Sequence, residues 1–321
     1  MVKFLYWSDL HREFGSSDHP VPFPEPTRDV NLTNIDAILI AGDLHAGDEH
    51  VSSLVEIEER WGVPVISTRG NHAFYHDDFA SLPGRHARLA AEARTQGRRV
   101  HVLDRETLVL GDTRILGATL WADFEVLRPN PDRLEATMYG ARHLMNDYRK
   151  VLAEPDGDLL MPSATAAQHR ADRAWLAQEL AKPWDGRTLV MTHHIPVPEA
   201  LAPEAGKGEM APAYVSDLRH DMLRFPIDAW VSGHSHWARR GTLPGLHGPV
   251  AFTANMQGYP GQHTNFDPYL VLDMDAPTLG LEPIGIADPS LRDLPGAEEV
   301  LEEIRAEVPA EGGSRPGAPM P

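Results

Sequence analysis

Five short clusters in this chain carry side chains able to do chemistry: SDLH with Asp9 and His11, AGDLH with Asp43, RGNH with Asn71 and His72, MTHH with His193 and His194, and SGHSH with His234 and His236. Carboxylate, imidazole and amide oxygen are all donors to divalent metal ions. Sulfur is missing from the set, because the chain has no cysteine. Oxygen with imidazole nitrogen suits Mn²⁺, Fe or Zn²⁺, and it is too rich in nitrogen for Ca²⁺ or Mg²⁺ alone. Each cluster by itself is weak, since Gly-Asp is equally a turn and a histidine after a strand is more often a solvated loop residue. Together they are harder to dismiss, because four of the five close an apolar run.

Those runs are the elements that must position them. Val2–Trp7, Ala37–Ala41, Val63–Thr68, Thr188–Thr192 and Ala229–Ser232 are short, apolar and bounded by polar or Gly-containing turns, the pattern of buried strands. Residues at i and i+2 leaving a strand point to the same side, so Asp9 with His11, and His234 with His236, can each converge on one point. Gly233 is expected to let the backbone turn there without steric cost. Helical patterns fill Glu49–Trp61 and Phe79–Gln96. Strands alternating with helices predict a layered α/β core, whose ligands sit beyond the carboxyl edge of the sheet. Glu106–Trp121 carries two strands around Gly111-Asp112, a hairpin signal, and Gly248–Asn255 and Pro268–Asp275 read as late strands. The sheet is therefore mixed, or two sheets pack face to face.

Between 123 and 187 the pattern predicts a mostly helical insertion, placed to cap the strand ends. Leu134, Met138, Ala141, Met145, Tyr148 and Leu152 recur at steps of four and three on one helix face, which core packing explains. Arg142, Asn146 and Arg149 lie off that stripe, on a solvated face or, as the alternative, toward a substrate. A second helix is expected over Ala164–Leu180. Residues 1–287 are read as one domain containing the insertion, and 288–321 as an acidic helix with a disordered Pro/Gly-rich tail. There are no internal repeats.

A chain of 321 residues suits one large domain or two small ones, and 42% apolar content marks it as globular. The lack of cysteine excludes disulfides, zinc-thiolate sites and cysteine nucleophiles. The apolar start reaches Asp9 too soon for a signal peptide. No run approaches the roughly 20 apolar residues of a membrane span. These features point to a soluble, cytoplasmic protein. Net charge is −18; the tail from Asp288, with eight acids against three bases, holds −5 of it, leaving −13 on the body. An acidic body repels polyanions and forfeits counterion release, which counts against nucleic-acid polymers as partners. It does not count against a small phosphorylated substrate entering a locally positive site.

The ordered set D-x-H, G-D, G-N-H, H and G-H-x-H, spanning residues 9 to 236, resembles the calcineurin-like metallophosphoesterase superfamily as seen in bacterial-type members. That resemblance implies an α/β (α+β four-layer sandwich) fold, two packed mixed sheets flanked by helices, with two metals at the sheet ends. It implies one metal held by Asp9, His11 and His236, a second by Asn71, His193 and His234, and Asp43 bridging them. His72 matches the histidine that contacts phosphate and protonates the leaving group. Many members place an acid or Tyr after G-N-H, where this chain has Ala73, so what orients His72 is an open question. His45 and His194 stand beside expected ligands. His194 is expected to face solvent, with the substrate cleft as the alternative; Arg142 and Asn146 are the other substrate-proximal candidates. The segment 255–269 resembles the stretch after the last histidine motif in other bacterial members, a likeness that implies no role.

The charge balance fits such chemistry. Two divalent ions less two aspartates leave a positive pocket even with a bridging hydroxide, and paired metals activate a shared water and clamp an in-line displacement. A leaving alcohol needs a proton, which His72 is placed to give. Each histidine ligand should donate its other ring nitrogen to a carbonyl or carboxylate. The leading expectation is dinuclear-metal hydrolysis of a small phosphodiester. The alternatives are a phosphomonoesterase or nucleotide pyrophosphatase, and a non-catalytic, metal-free scaffold of the same fold. An enzyme of lipid phosphates using the insertion's apolar stripe is a further option.

Overall fold

Phe4 and Tyr6 leave one face of the first strand, Leu5 and Trp7 the other, and all four are fully buried. A strand buried on both faces needs cover on both sides, which dictates layers. The computed structural model describes residues 2–16, 21–26, 35–126, 131–201 and 210–284. The chain runs β1 (Lys3–Trp7), β2 (Ala37–Ala41), α1 (Glu49–Trp61), β3 (Val65–Thr68), α2 (Leu82–Thr95), β4 (Val100–Leu103), β5 (Glu106–Leu110) and β6 (Thr113–Ala118). Helices α3 (Pro131–Leu144), α4 (Asp147–Lys150) and α5 (Pro162–Leu180) follow. Then come β7 (Arg187–Thr192), α6 (Arg219–Arg224), β8 (Ala229–Ser232), β9 (Arg239–Leu243), β10 (Val250–Ala254) and β11 (Val271–Asp273).

Two mixed sheets result. One has the order β11-β1-β2-β3-β4 and the other β5-β6-β7-β8-β10-β9. Strands β1 to β4 are parallel, with β11 antiparallel to β1. Strands β6, β7, β8 and β10 are parallel, flanked by antiparallel β5 and β9. Alternation then sorts the core into layers. Phe4, Tyr6 and Leu39 meet Leu189, Met191 and Val231 between the sheets. Leu5, Trp7 and Ile40 face α1 and α2 through Leu54, Ile57 and Ala90. Val190, Trp230 and Phe252 face α5 and α6 through Leu176, Leu180 and Met222. Each large side chain so buried contributes about 1.5–3 kcal/mol. The helix–sheet–sheet–helix order is the expected α/β sandwich.

The differences from the sequence pattern have identifiable causes. Strands β4 and β9 escape that pattern because polar residues interrupt them: β4 carries His101, and β9 opens with two arginines. The apolar stripe does not lie on one helix. α3 stops at Leu144, α4 starts at Asp147 and ends at Lys150, and Leu152 bridges to Asp78 and Leu159. The stripe is still packed inward: Ala141, Met145 and Tyr148 join Phe74, Leu82 and Trp121 in one buried cluster. The break frees Asp147 to turn toward the strand ends. The expected C-terminal unit, 288–321, lies outside the described residues. Among the described residues, no helix is long and apolar enough to cross a membrane.

Candidate metal centre

All five clusters leave the carboxyl ends of parallel strands, β1, β2, β3, β7 and β8, and therefore gather at one edge. Their backbones are bent sharply to do so. Asp9, His11, Asp43, His234 and His236 all have left-handed φ, between 46° and 78°. For non-glycine residues such backbone costs on the order of 1–3 kcal/mol each and persists where surrounding bonds enforce it. Here the Asp9 and His11 amides donate to the Gly42 and Asp43 carbonyls at 3.1 and 2.9 Å, and Gly233 N–H donates to the His193 carbonyl at 2.9 Å. Gly233 does not supply the turn expected of it, since His234 and His236 themselves take the left-handed conformation. Its role is space: a Cβ there would overlap Ser8 and Asp9, and one at Gly70 would overlap Asp43.

One half of the site joins Asp9, His11 and His236. Asp9 is fixed by the Ser8 hydroxyl and the His234 amide, which both donate to its carboxylate. His11 Nδ1 donates to Glu13 at 2.9 Å, and His236 Nδ1 donates to Gln262 Oε1 at 2.7 Å. In the neutral rings both protons are so committed, and the two Nε2 atoms present lone pairs to each other at 2.9 Å, beside the Asp9 carboxylate that raises the pKa of His236. Two acceptors at that distance need a positive charge between them.

The other half repeats the arrangement. His193 Nδ1 donates to the Ala41 carbonyl at 2.9 Å, leaving Nε2 to face Asn71 Oδ1 at 2.9 Å. Asn71 is oriented by its own amide, whose nitrogen donates to Asp147 at 2.7 Å. Tyr75 donates to the same carboxylate at 3.1 Å. His234 Nε2 is buried with no partner at all. Burial, with His194 and His193 close by, holds His234 well below the ordinary histidine range, so it is a neutral donor to a cation. Between the halves lies Asp43, its Oδ2 at 3.8 Å from His11 and 3.4 Å from His193. Burial would raise its pKa, but His193 and His72 hold it well below the usual carboxylate range. The same pairing outweighs burial at His193 and pushes it up to about 9. The groups Asp9–His11–His236, Asp9–Asp43–His193 and His193–His194–His234 each bring their donor atoms within 4.8 Å of one another. The converging donor atoms and the orphaned His234 nitrogen fit two cations, one of which would replace the proton that His193 otherwise shares with Asn71.

His72 stands beside this set. Its Nδ1 donates to Glu13 Oε1 at 2.7 Å, and its Nε2 meets the Tyr259 hydroxyl at 3.2 Å. Tyr75 stacks on its ring at 4.1 Å. Burial disfavours its charged form, but Asp43 and Glu13 outweigh that and raise its pKa. The acid missing after G-N-H is thus supplied by Glu13, from the first cluster. A cavity of about 170 Å³ opens over His72, His234 and His236, walled by Tyr75, Met145, Asn146, Tyr214 and Tyr259. Among the described residues, no Lys or Arg lines it.

Of the substrate-proximal candidates, Asn146 alone lines this cavity. Arg142 donates instead to the Tyr148 carbonyl at 2.6 Å, and His45 Nδ1 faces the Ala46 carbonyl at 3.0 Å. The expectation that His194 faces solvent is wrong. It is 1% exposed, its ring 4.0 Å from that of His234 and 5.2 Å from that of Trp121. The loop carrying Trp121 roofs over this strand end, which a local sequence pattern cannot show. Reading the clusters also missed Glu13, Asp147, Tyr259 and Gln262. Glu13 lies two residues past His11 and could have been flagged by proximity. Tyr259 and Gln262 give the 255–269 segment a place against His72 and His236.

Comparison with known proteins agrees with this geometry. The sequence model of a family described as calcineurin-like phosphoesterase matches residues 2–238. The chain is 22% identical, over 66% of its length and 74% of the other's, to "Uncharacterized protein L509" of Acanthamoeba polyphaga mimivirus. Among solved structures it resembles a phosphopantetheinyl hydrolase (PptH) from Mycobacterium tuberculosis, with a TM-score of 0.57 and 20% identity. That match covers 80% of this chain and 90% of the other, and at this identity it speaks for the fold alone.

Proposed function

The chain belongs to the calcineurin-like phosphoesterase family of metal-dependent phosphoester hydrolases, and from that premise we propose that it hydrolyses a small phosphodiester. The observation that carries this reading is the charge of the cleft. Its lining adds Asp147 and three tyrosines to the donor set, and no cation among the described residues. A dianionic monoester or a pyrophosphate would want a guanidinium or ammonium clamp beyond the metals. A monoanionic diester is served by the metals alone, with its ester arm against Tyr75, Tyr214 and Met145.

In this reading Asp9, His11 and His236 would hold one cation, Asn71, His193 and His234 would hold a second, and Asp43 would serve both. Two ions of Mn, Fe or Zn would supply positive charge for the phosphoryl oxygens and lower the pKa of a bound water. The chain's own residues do the rest. Glu13 holds the His72 ring through Nδ1, so Nε2 faces the cleft and gives its proton to the departing ester oxygen. Tyr259, on that same nitrogen, yields its place to the leaving group. Asp147 keeps the Asn71 oxygen turned inward, and the Ala41 carbonyl does the same for His193 Nε2.

A Mn²⁺-supplemented screen tests the reading, comparing bis-p-nitrophenyl phosphate, p-nitrophenyl phosphate, a pyrophosphate and a phosphopantetheinyl ester, the last suggested by the neighbour's name. The diesters should be turned over with the higher kcat/KM. Faster monoester or pyrophosphate hydrolysis would replace the diester reading, and no hydrolysis with metal bound would favour a scaffold.

A further inference from the structure

A second cavity, of about 220 Å³, shares no lining residue with the first. Arg69, Asp104 and Thr119 line it and stand just past the carboxyl ends of β3, β4 and β6. That is the sheet edge where folds of this type place ligands. One wall is aromatic: Phe74, Phe79 and Trp121 lie in mutual contact, their ring centres 5.4 to 5.7 Å apart. Arg69 is 2% exposed. One edge of its guanidinium meets Asp104, while Nε is enclosed without any hydrogen-bond partner. A buried charged donor left without an acceptor is costly, so such groups ordinarily find one.

The remaining charges narrow what that acceptor is. Arg105 is at the cavity too, 39% exposed and 3.8 Å from Asp172. Burial and the nearby Asp104 push the Asp172 carboxyl up to about 7, so it offsets Arg105 only in part at neutral pH. Two arginines face Asp104 and a partly neutralised Asp172, so the cluster keeps a partial positive charge that suits a singly charged anion better than a doubly charged one. A doubly charged phosphate would face Asp104 with its second charge. Water alone would satisfy Arg69 but would leave the aromatic wall wetted.

We infer that this cavity binds a small organic carboxylate with an apolar body, its oxygens accepting from the Arg69 guanidinium that lines the cavity and its body lying on Phe74, Phe79 and Trp121. The site is separate from the phosphoester cleft and does not depend on the function proposed for that cleft. Benzoate is the probe. Metal-loaded protein, with saturating inorganic phosphate occupying the metal cleft, is titrated with benzoate by calorimetry and saturation-transfer NMR. Benzoate should bind with phosphate present. Ala80→Trp, which fills the cavity from an exposed position, and Arg69→Gln should each weaken it by about tenfold or more. Should Arg69→Gln fail to fold, as circular dichroism would reveal, Ala80→Trp carries the decision. Absence of benzoate binding to wild type would overturn the inference, leaving a cavity that holds water. Binding abolished by phosphate, or untouched by Ala80→Trp, would also overturn it, because the carboxylate would then sit on the metals or elsewhere.

Discussion

The two halves of the metal centre are built from the same donors but held in different ways. On the His11–His236 side, the outer nitrogens are held by side chains near the rim: Glu13, and Gln262, which is exposed to solvent. On the Asn71–His193 side, the holders are the Ala41 carbonyl, inside the fold, and Asp147, 2% exposed at the start of α4. Burial raises the pKa of that carboxyl, so the protein keeps an unfavourable group in place to fix one amide. The difference suggests that water can repair the first half after damage and cannot repair the second. Outer holders of metal ligands are typically worth about 10–100-fold in metal affinity or activity, and the two halves should lie at opposite ends of that span.

The largest effect should come from the residue common to both. Asp43→Asn removes a charge that lies between His11 and His193, so both halves lose affinity together and turnover falls to background. Metal analysis of the purified variant checks this. Two bound ions would separate Asp43 from the bridge and remove the shared element from the comparison. Next comes His72→Ala, which removes none of the proposed ligands, although its ring lies 4.4 Å from that of His11. It should keep both metals and lose about 10²–10⁴-fold in kcat on alkyl esters, with a much smaller loss on p-nitrophenyl esters, whose leaving group needs no proton. An equal loss on both would make His72 a phosphate-binding residue instead.

The donor set was legible in the sequence because its chemistry is local: four of the five polar clusters close an apolar run, and strand geometry brings such ends to one edge. The layered fold was legible for the same reason, through the short apolar runs that form β1, β2, β7 and β8 and are buried on both faces. What was illegible depends on distance along the chain. Asp147 is 76 residues from Asn71, and Gln262 is 26 from His236. A carboxylate or amide on a helix or loop reads the same whether it is solvated or aimed at a ligand. His194 was misjudged because its burial comes from Trp121, on another strand's exit loop. The break in the insertion was hidden for a related reason. The stripe residues stay buried on both sides of it, so the apolar spacing carries no mark of where the helix ends.

Asp147→Ala and Gln262→Ala test the contrast itself. Asp147→Ala leaves the Asn71 nitrogen and the Tyr75 hydroxyl without their shared acceptor in a buried setting. Asn71 can then rotate its nitrogen inward, where it repels a cation. The expected loss is near the upper end, about 100-fold in affinity for one of the two metals, seen as a second, weaker phase in a Mn²⁺ titration. Asp147→Asn, which keeps an oxygen in place, should recover much of that loss, a result that simple unfolding of the insertion would not give. Gln262→Ala removes an acceptor from His236 Nδ1 where solvent already reaches. Water can take the same proton, so the loss should be near the lower end, about 10-fold or less, with both metals retained at millimolar Mn²⁺. A Gln262→Ala loss equal to that of Asp147→Ala would mean that the rim half is as rigidly determined as the buried one. Tyr259 would then be implicated as well, because its amide donates to the same Gln262 oxygen at 2.8 Å while its hydroxyl sits on His72, and losing the glutamine would release the loop that closes the cleft.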